Sequence, residues 1–314
     1  MASEDFLLAQ IAKLYYMDKI KQNEIARRFR ITPMMVSRYL RKAEQRNIVS
    51  VHIKMPWPQD LKLGKEVMER YKLKECIALD IPPNTDVPSY IGNYAAHFFA
   101  SMLKPNMVIG VSWGKTISEF VAVMPFLNIA GCTIFQMSGA FLADESKVMP
   151  SNILQQMAQR LNAKSYAINS PLYVSSNEVK ESLMADPSNQ MVRELAAQAD
   201  LTIIGASSLT RDATTMILNP VTVEAFEEMQ SLGVVGDLAG VFFDATGKEI
   251  PWSKSSLYMG IPLLQIAKAK DVVCLAGEPE KAQVLCVGAR RGYIKTLITS
   301  KKAAEAMLKI RMEG

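Results

Sequence analysis

Residues 19–48 read KIKQNEIARRFRITPMMVSRYLRKAEQRNI, and their periodicity predicts two helices joined by a tight turn. In the second helix Val36, Leu40 and Ala43 fall at i, i+4 and i+7 and can face a core. Met34, Ser37, Arg38 and Arg41 share a different side and can face outward. Thr32 stands where an N-cap belongs, with Pro33 at the first helical position. Ile25, Ala26 and Phe29 give the preceding helix its own apolar stripe. This spacing suits a helix-turn-helix, whose second helix enters the major groove of double-stranded DNA. The candidate base contacts are Met34, Ser37, Arg38 and Arg41. Lys21, Gln22 and Thr32 are candidates for phosphates, with Pro33 beside them at the start of the helix.

The charge distribution points the same way. Residues 1–55 hold 11 Lys and Arg against 5 Asp and Glu, so this segment carries +6 of a chain whose net charge is +5. A basic excess confined to a helical segment implies a polyanionic partner. Upstream, Asp5–Met17 repeats Leu7/Leu8, Ile11 and Leu14/Tyr15 at helical spacing and predicts a helix that closes a small core. Downstream, Val49, Val51 and Ile53 alternate within Ile48–Lys54, which suits a short strand and makes the element a winged variant. Met55-Pro56-Trp57-Pro58 then stops regular structure. The expected organisation is an all-α, winged helix-turn-helix domain over 1–55 and a second domain over 56–314.

With 314 residues, 49% of them hydrophobic, the chain can bury a large core. Cys76, Cys132, Cys274 and Cys286 form no CxxC pair, and His52 and His97 are the only histidines. Neither a metal site nor a cofactor is expected, and the thiols read as reduced core residues. The start, MASEDFLLAQ, lacks a signal-peptide pattern, and no apolar run has the length of a membrane span. A soluble, cytoplasmic protein without a membrane partner is expected.

From Cys76 onward short apolar runs alternate with longer amphipathic ones. Strands are predicted at Cys76–Leu79, Met107–Val111, Thr133–Met137, Ser165–Ile168, Leu201–Gly205, Val241–Phe243, Val272–Ala276 and Ile294–Thr299. Several of these runs are continuous rather than alternating, as in strands covered on both faces. The pattern predicts a layered α/β domain with a mainly parallel sheet.

In such domains ligands gather where strand ends meet Gly-, Ser- and Thr-rich loops and helix N-termini. Gly110-Val111-Ser112-Trp113-Gly114-Lys115-Thr116 offers backbone N–H groups, hydroxyls and a lysine at a positive helix end, which suits a phosphate. It is one residue too short for a Walker A motif. Ser138-Gly139-Ala140, Gly205-Ala206-Ser207-Ser208 and Gly277-Glu278-Pro279-Glu280-Lys281 are similar strand-to-helix loops. Together the four favour a small anionic ligand. Asp244 ends an apolar run and begins Asp244-Ala245-Thr246-Gly247. It suits a turn residue and an acceptor for sugar hydroxyls equally.

The whole layout resembles the SorC-type sugar-responsive transcriptional regulators of bacteria. The resemblance rests on Leu14-Tyr15-Tyr16, Val36-Ser37-Arg38-Tyr39-Leu40, Gly110-Val111-Ser112-Trp113-Gly114 and Val235-Gly236-Asp237. It continues in Phe242-Phe243-Asp244-Ala245-Thr246-Gly247, Ala276-Gly277 with Lys281, and Gly292-Tyr293-Ile294. It implies an effector domain related to ribose-5-phosphate isomerase and glucosamine-6-phosphate deaminase, without catalysis. It further implies a phosphorylated sugar or polyol effector and a homo-oligomer, a dimer or more usually a tetramer. By that resemblance Ser112, Trp113, Gly114, Lys115 and Thr116 hold the phosphate. Gly277, Glu278 and Lys281 line the same pocket, with Ser138, Gly139 and Gly205 near it, and Asp244 binds ligand hydroxyls. Some relatives carry a lysine where this chain has Ser138, so covalent capture of an open-chain sugar there is unavailable. The expected function is control of a carbohydrate catabolic operon. The alternative is a sugar-phosphate isomerase or deaminase with an added N-terminal module, using Asp244, Glu278 or Lys281 as the titrating group.

Overall fold

A computed structural model describes residues 2–49, 56–141, 148–211, 216 and 221–311. The chain divides into two compact units, Met1–Pro56 and Trp57–Gly314.

The first unit is built from helices Ala2–Ala12, Gln22–Phe29 and Pro33–Gln45. The first helix continues into a π turn, Lys13–Met17, where Lys13 O accepts from Asp18 N at 3.1 Å. Arg30 adopts a left-handed conformation (φ 54°) that ends the Gln22–Phe29 helix and starts the turn. The Thr32 hydroxyl then caps the next helix by accepting from Met35 N at 3.2 Å, with Pro33 at N1. Leu8, Ile11, Ala12, Ile25, Ala26, Val36, Leu40 and Ala43 form one buried core, flanked by Ile48 and Val49. The strand expected at Ile48–Lys54, and with it the wing, lies beyond Val49 outside the described residues.

The second unit holds nine strands among the described residues. They are β1 (Glu75–Leu79), β2 (Val108–Val111), β3 (Thr133–Gln136), β4 (Lys164–Tyr166), β5 (Leu201–Ser208), β6 (Val234–Leu238), β7 (Val241–Asp244), β8 (Asp271–Leu275) and β9 (Thr296–Ser300). Seven pair in parallel in the order β1-β9-β8-β5-β2-β3-β4. Successive strand residues enter opposite layers. Ile203, Val273 and Ile298 pack with helices Val87–Met102, Lys115–Val123 and Pro150–Leu161. Ile204, Cys274 and Leu297 pack with helices Leu61–Tyr71, Pro187–Ala197, Ala282–Arg290 and Lys301–Lys309. A two-residue side-chain period with both faces covered explains why these strands read as unbroken apolar runs.

The structure departs from the expected sheet at one place that matters for the site. The Val241–Phe243 run does not join the parallel sheet but forms β7 of an antiparallel hairpin whose other arm, β6, pairs with the end of β5. Gly236 lets β6 approach: a Cβ there would stand 2.2 Å from Ser207 O. Ala239 (φ 53°) and Gly240 (φ 85°) both take positive φ in the two-residue turn, the backbone of a type I′ hairpin.

Candidate functional site

A cavity opens at the carboxyl ends of β2, β5 and β8, the edge of a parallel sheet where ligands collect. Trp113, Gly114, Lys115 and Thr116 follow β2, Gly205, Ala206 and Ser207 end β5, and Glu278 and Lys281 follow β8. The β6–β7 turn adds Asp237, Ala239 and Gly240, and Pro88 comes from the Val87–Met102 helix. Gly114 (φ 125°) precedes the Lys115–Val123 helix and positions that helix's free N–H groups at the cavity. No neighbouring atom lies within 4 Å of where a Cβ would stand on Gly114, so its glycine is required by backbone conformation alone.

Both lysines of the cavity already hold carboxylates. Lys281 pairs with Glu278 at 2.9 Å across one 3₁₀ turn. Burial pulls the Glu278 carboxyl upward, but the Lys281 charge and hydrogen bond and the Gly277 amide leave it below its ordinary value. Lys115 reaches Asp86, the N-cap of the Val87–Met102 helix, at 2.9 Å. The hydrogen bond to Asp86 raises the Lys115 ammonium above its usual range.

The turn between β6 and β7 is itself pinned. Asp237 Oδ1 accepts from Gly240 N at 2.9 Å, and the Tyr258 hydroxyl donates to Ala239 O at 2.9 Å. Trp113 is buried edge-on against Phe141 with ring centroids 4.8 Å apart. Its Nε1 has no hydrogen-bond partner among the described residues. A buried indole N–H is a donor awaiting an acceptor.

Five of the expected effector residues stand elsewhere. Asp244 closes its own turn: Oδ1 accepts from Thr246 N at 2.8 Å, from the Thr246 hydroxyl and from Lys248 N. The hairpin's carboxylate at the cavity is Asp237, seven residues earlier, because the hairpin folds β6 back along β5. Ser138 and Gly139 are occupied by the 259–260 segment: Ser138 bridges to Gly260, and Gly139 N donates to Met259 O. Gly277 lines a different cleft, and its carbonyl accepts from the Ser300 hydroxyl. Ser112 is buried behind the loop, its amide bonded to Ile203 O. Val235-Gly236-Asp237 was visible as a motif in the sequence, but nothing there told Asp237 from Asp244 as the cavity carboxylate.

In the first unit Met34, Ser37, Arg38 and Arg41 lie exposed on one side of the Pro33–Gln45 helix, Met34 to 82%. Lys21 and Thr32 are exposed at the helix starts, and Gln22 is half-buried. The basic residues separate into two groups. Lys42 and Arg46 bind Glu4 and Asp5, and Arg28 binds Glu24. Arg38 and Arg41 make no ion pair among the described residues, so the outward side of this helix keeps its positive charge uncompensated.

A small helical unit with an unpaired arginine face, joined to a parallel α/β unit with a strand-end cavity, has the layout of a ligand-responsive transcriptional regulator. The family described as "Putative sugar-binding domain" matches residues 56–309, and the chain belongs to the SorC-type sugar-binding transcriptional regulators. The transcriptional regulator LsrR of Klebsiella pneumoniae subsp. pneumoniae is 27% identical over 311 residues, covering 98% of this chain and 94% of that protein. The sorbitol operon regulator of Klebsiella pneumoniae is 24% identical over 310 residues, covering 96% and 98%. Among solved structures, the full-length sorbitol operon regulator SorC of Klebsiella pneumoniae superposes with a TM-score of 0.72 at 23% identity, over 98% of this chain and 100% of that one. A DeoR family regulator from Listeria monocytogenes gives 0.73 at 24% identity, over 79% and 98%. These likenesses establish the mixed α/β fold with its parallel sheet. The relatives are regulators, not enzymes, and the isomerase or deaminase alternative finds no support among them. No described helix is long and apolar enough to cross a membrane.

Proposed function

We propose that this chain regulates a carbohydrate catabolic operon by binding operator DNA through residues 1–55, under control of a phosphorylated sugar or polyol held by residues 56–314. The observation that carries the effector reading is one cavity shared by the free N-terminus of the Lys115–Val123 helix, two lysines and two carboxylates. Helix N–H groups and a lysine suit a phosphate. The carboxylates of Asp237 and Glu278 suit hydroxyl donors, a role first expected of Asp244. The second unit is read as a non-catalytic relative of ribose-5-phosphate isomerase and glucosamine-6-phosphate deaminase. Position 138 holds a serine packed against the 259–260 segment, so no amine stands there to capture an open-chain sugar covalently.

The outward Met34, Ser37, Arg38 and Arg41 face is assigned to the major groove, with Lys21, Gln22 and Thr32 near phosphates. A homodimer or tetramer matches paired half-sites on DNA. The effector acts by binding one arrangement of that oligomer better than another. The test is a thermal-shift screen of the full chain against phosphorylated sugars and polyols, repeated with Lys115→Ala, followed by operator gel shifts with any hit. A phosphate ester that raises the melting temperature of the wild type but not of the variant, and changes the gel shift, supports the reading. A hit indifferent to Lys115→Ala removes the phosphate loop from it.

A further inference from the structure

One residue on the outward face of the Pro33–Gln45 helix is not accounted for by charge. Val36, Leu40 and Ala43 are buried and fix the rotation of that helix. Met34 falls on the opposite side, in the first turn set by the Thr32 cap and Pro33. At 82% it is the most exposed large hydrophobic side chain among the described residues. Ser37, Arg38 and Arg41 follow it at i+3, i+4 and i+7, all exposed. A lone exposed apolar residue is ordinary on a protein surface. This one stands where recognition helices touch base edges, in the N-terminal turn. Phosphates take charge and hydrogen bonds, and a thioether supplies neither to any useful extent. The major groove does offer an apolar group, the C5-methyl of thymine. Methionine is unbranched and polarisable, and so adapts its shape to such a contact.

We infer that Met34 reads the methyl group of a thymine in each half-site, about two base pairs from the base pair that Arg38 contacts. The inference rests on the DNA-binding reading above and deepens it. The spacing follows from the helix. Met34 and Arg38 are one turn apart, a rise of about 6 Å at about 1.5 Å per residue, and stacked base pairs are about 3.4 Å apart. The two contacts differ in kind. Arg38 keeps an unpaired guanidinium for a hydrogen-bonded edge, whereas Met34 gains only by removing apolar surface from water. Loss of the thymine methyl therefore leaves no polar group unsatisfied, and its cost is confined to that surface.

The experiment begins by selecting duplexes that the full chain binds from a random-sequence library. Each thymine of the selected consensus is then replaced by uracil, which pairs identically and lacks the methyl. Dissociation constants are measured by fluorescence anisotropy for the wild type, Met34→Ala, Met34→Leu and Arg38→Ala. Met34 is exposed, so its replacement removes no core contact, and unchanged melting temperatures check this. In the wild type, uracil at one thymine per half-site should weaken binding about fourfold. Met34→Ala should bind the thymine and uracil duplexes equally, and Met34→Leu should restore the preference for thymine. Arg38→Ala should lose discrimination at a base pair within about three of that thymine. The inference is overturned if no thymine is methyl-sensitive, if the sensitivity survives Met34→Ala, or if the two readings lie farther apart than that. In each of these cases a loss of sequence preference in Arg38→Ala leaves the DNA-binding reading standing. If the chain enriches no sequence, that reading fails and the inference fails with it.

Discussion

The Lys115 ammonium lies 2.9 Å from the Asp86 carboxylate, so the cavity loop and the cap of the Val87–Met102 helix are joined by one exposed ion pair. Asp86 also accepts from Ser89 N at 3.0 Å. Asp86→Asn keeps an oxygen for that cap and removes the charge competing for Lys115. Stability should change by less than about 0.5 kcal/mol, because asparagine caps as well as aspartate and the ion pair is exposed. Affinity for a phosphate ester, measured by calorimetry, should rise. A fall would mean that Asp86 serves to aim Lys115 at the ligand.

Acid should weaken the second unit through identifiable carboxylates. Asp60 is held below its ordinary value first by the Leu63 amide and then by Lys301. Burial pulls Asp86 upward, but hydrogen bonds from Lys115 and Ser89 outweigh it and leave its value lowered. Groups depressed in the folded state stabilise it above their unfolded pKa, and that contribution is lost as pH falls through the folded values. Urea midpoints should therefore be level above pH ~5 and fall below pH ~4, near the ordinary carboxylate range. Asp60→Asn retains the cap and should flatten part of that fall.

Arginines on one helix should behave differently according to their partners. Arg38→Ala should cost about 1–3 kcal/mol of discrimination between operator and mismatched sites, measured by fluorescence anisotropy. Arg46→Ala should leave that discrimination intact and lower thermal stability, because Arg46 is committed to Glu4 and Asp5. Equal effects of the two on sequence preference would remove Arg38 from base recognition.

Trp113→Phe separates packing from hydrogen bonding. Phenylalanine retains the aromatic contact with Phe141 and removes a buried N–H that has no partner among the described residues. The free protein should lose little stability, since no internal hydrogen bond is broken. Effector binding should weaken by about 0.5–1.5 kcal/mol, the worth of one neutral hydrogen bond. Unaltered affinity would show that the indole N–H does not meet the ligand.

Where the fold was legible, a local pattern coincided with a global environment. The apolar runs at 107–111, 201–205 and 272–276 meet both layers of helices, and they sit at or near β2, β5 and β8. β6 was not legible, because Gly236-Asp237 interrupts its apolar character and a register shift falls between Val234 and Gly236. The Asn177–Ala185 helix was missed because none of its residues is buried, leaving no apolar stripe to read. At the site, loop composition pointed to Gly114, Lys115, Thr116, Gly205, Glu278 and Lys281, which the fold gathers around one cavity. Asp237 escaped notice for a tertiary reason. Two aspartates follow apolar residues with a glycine within three positions, and only the antiparallel return of the hairpin decides which faces the cavity.

The core of the first unit is made entirely from residues before Trp57, and the cavity entirely from residues after it. Under the roles proposed above, the address that the protein reads and the metabolite that it senses are encoded in separately packed interiors. The buried cores of the two units share no residue among those described. A lineage carrying this architecture can move an old sensor to a new promoter, or a new sensor to an old promoter, by exchange at the Met55–Pro58 junction.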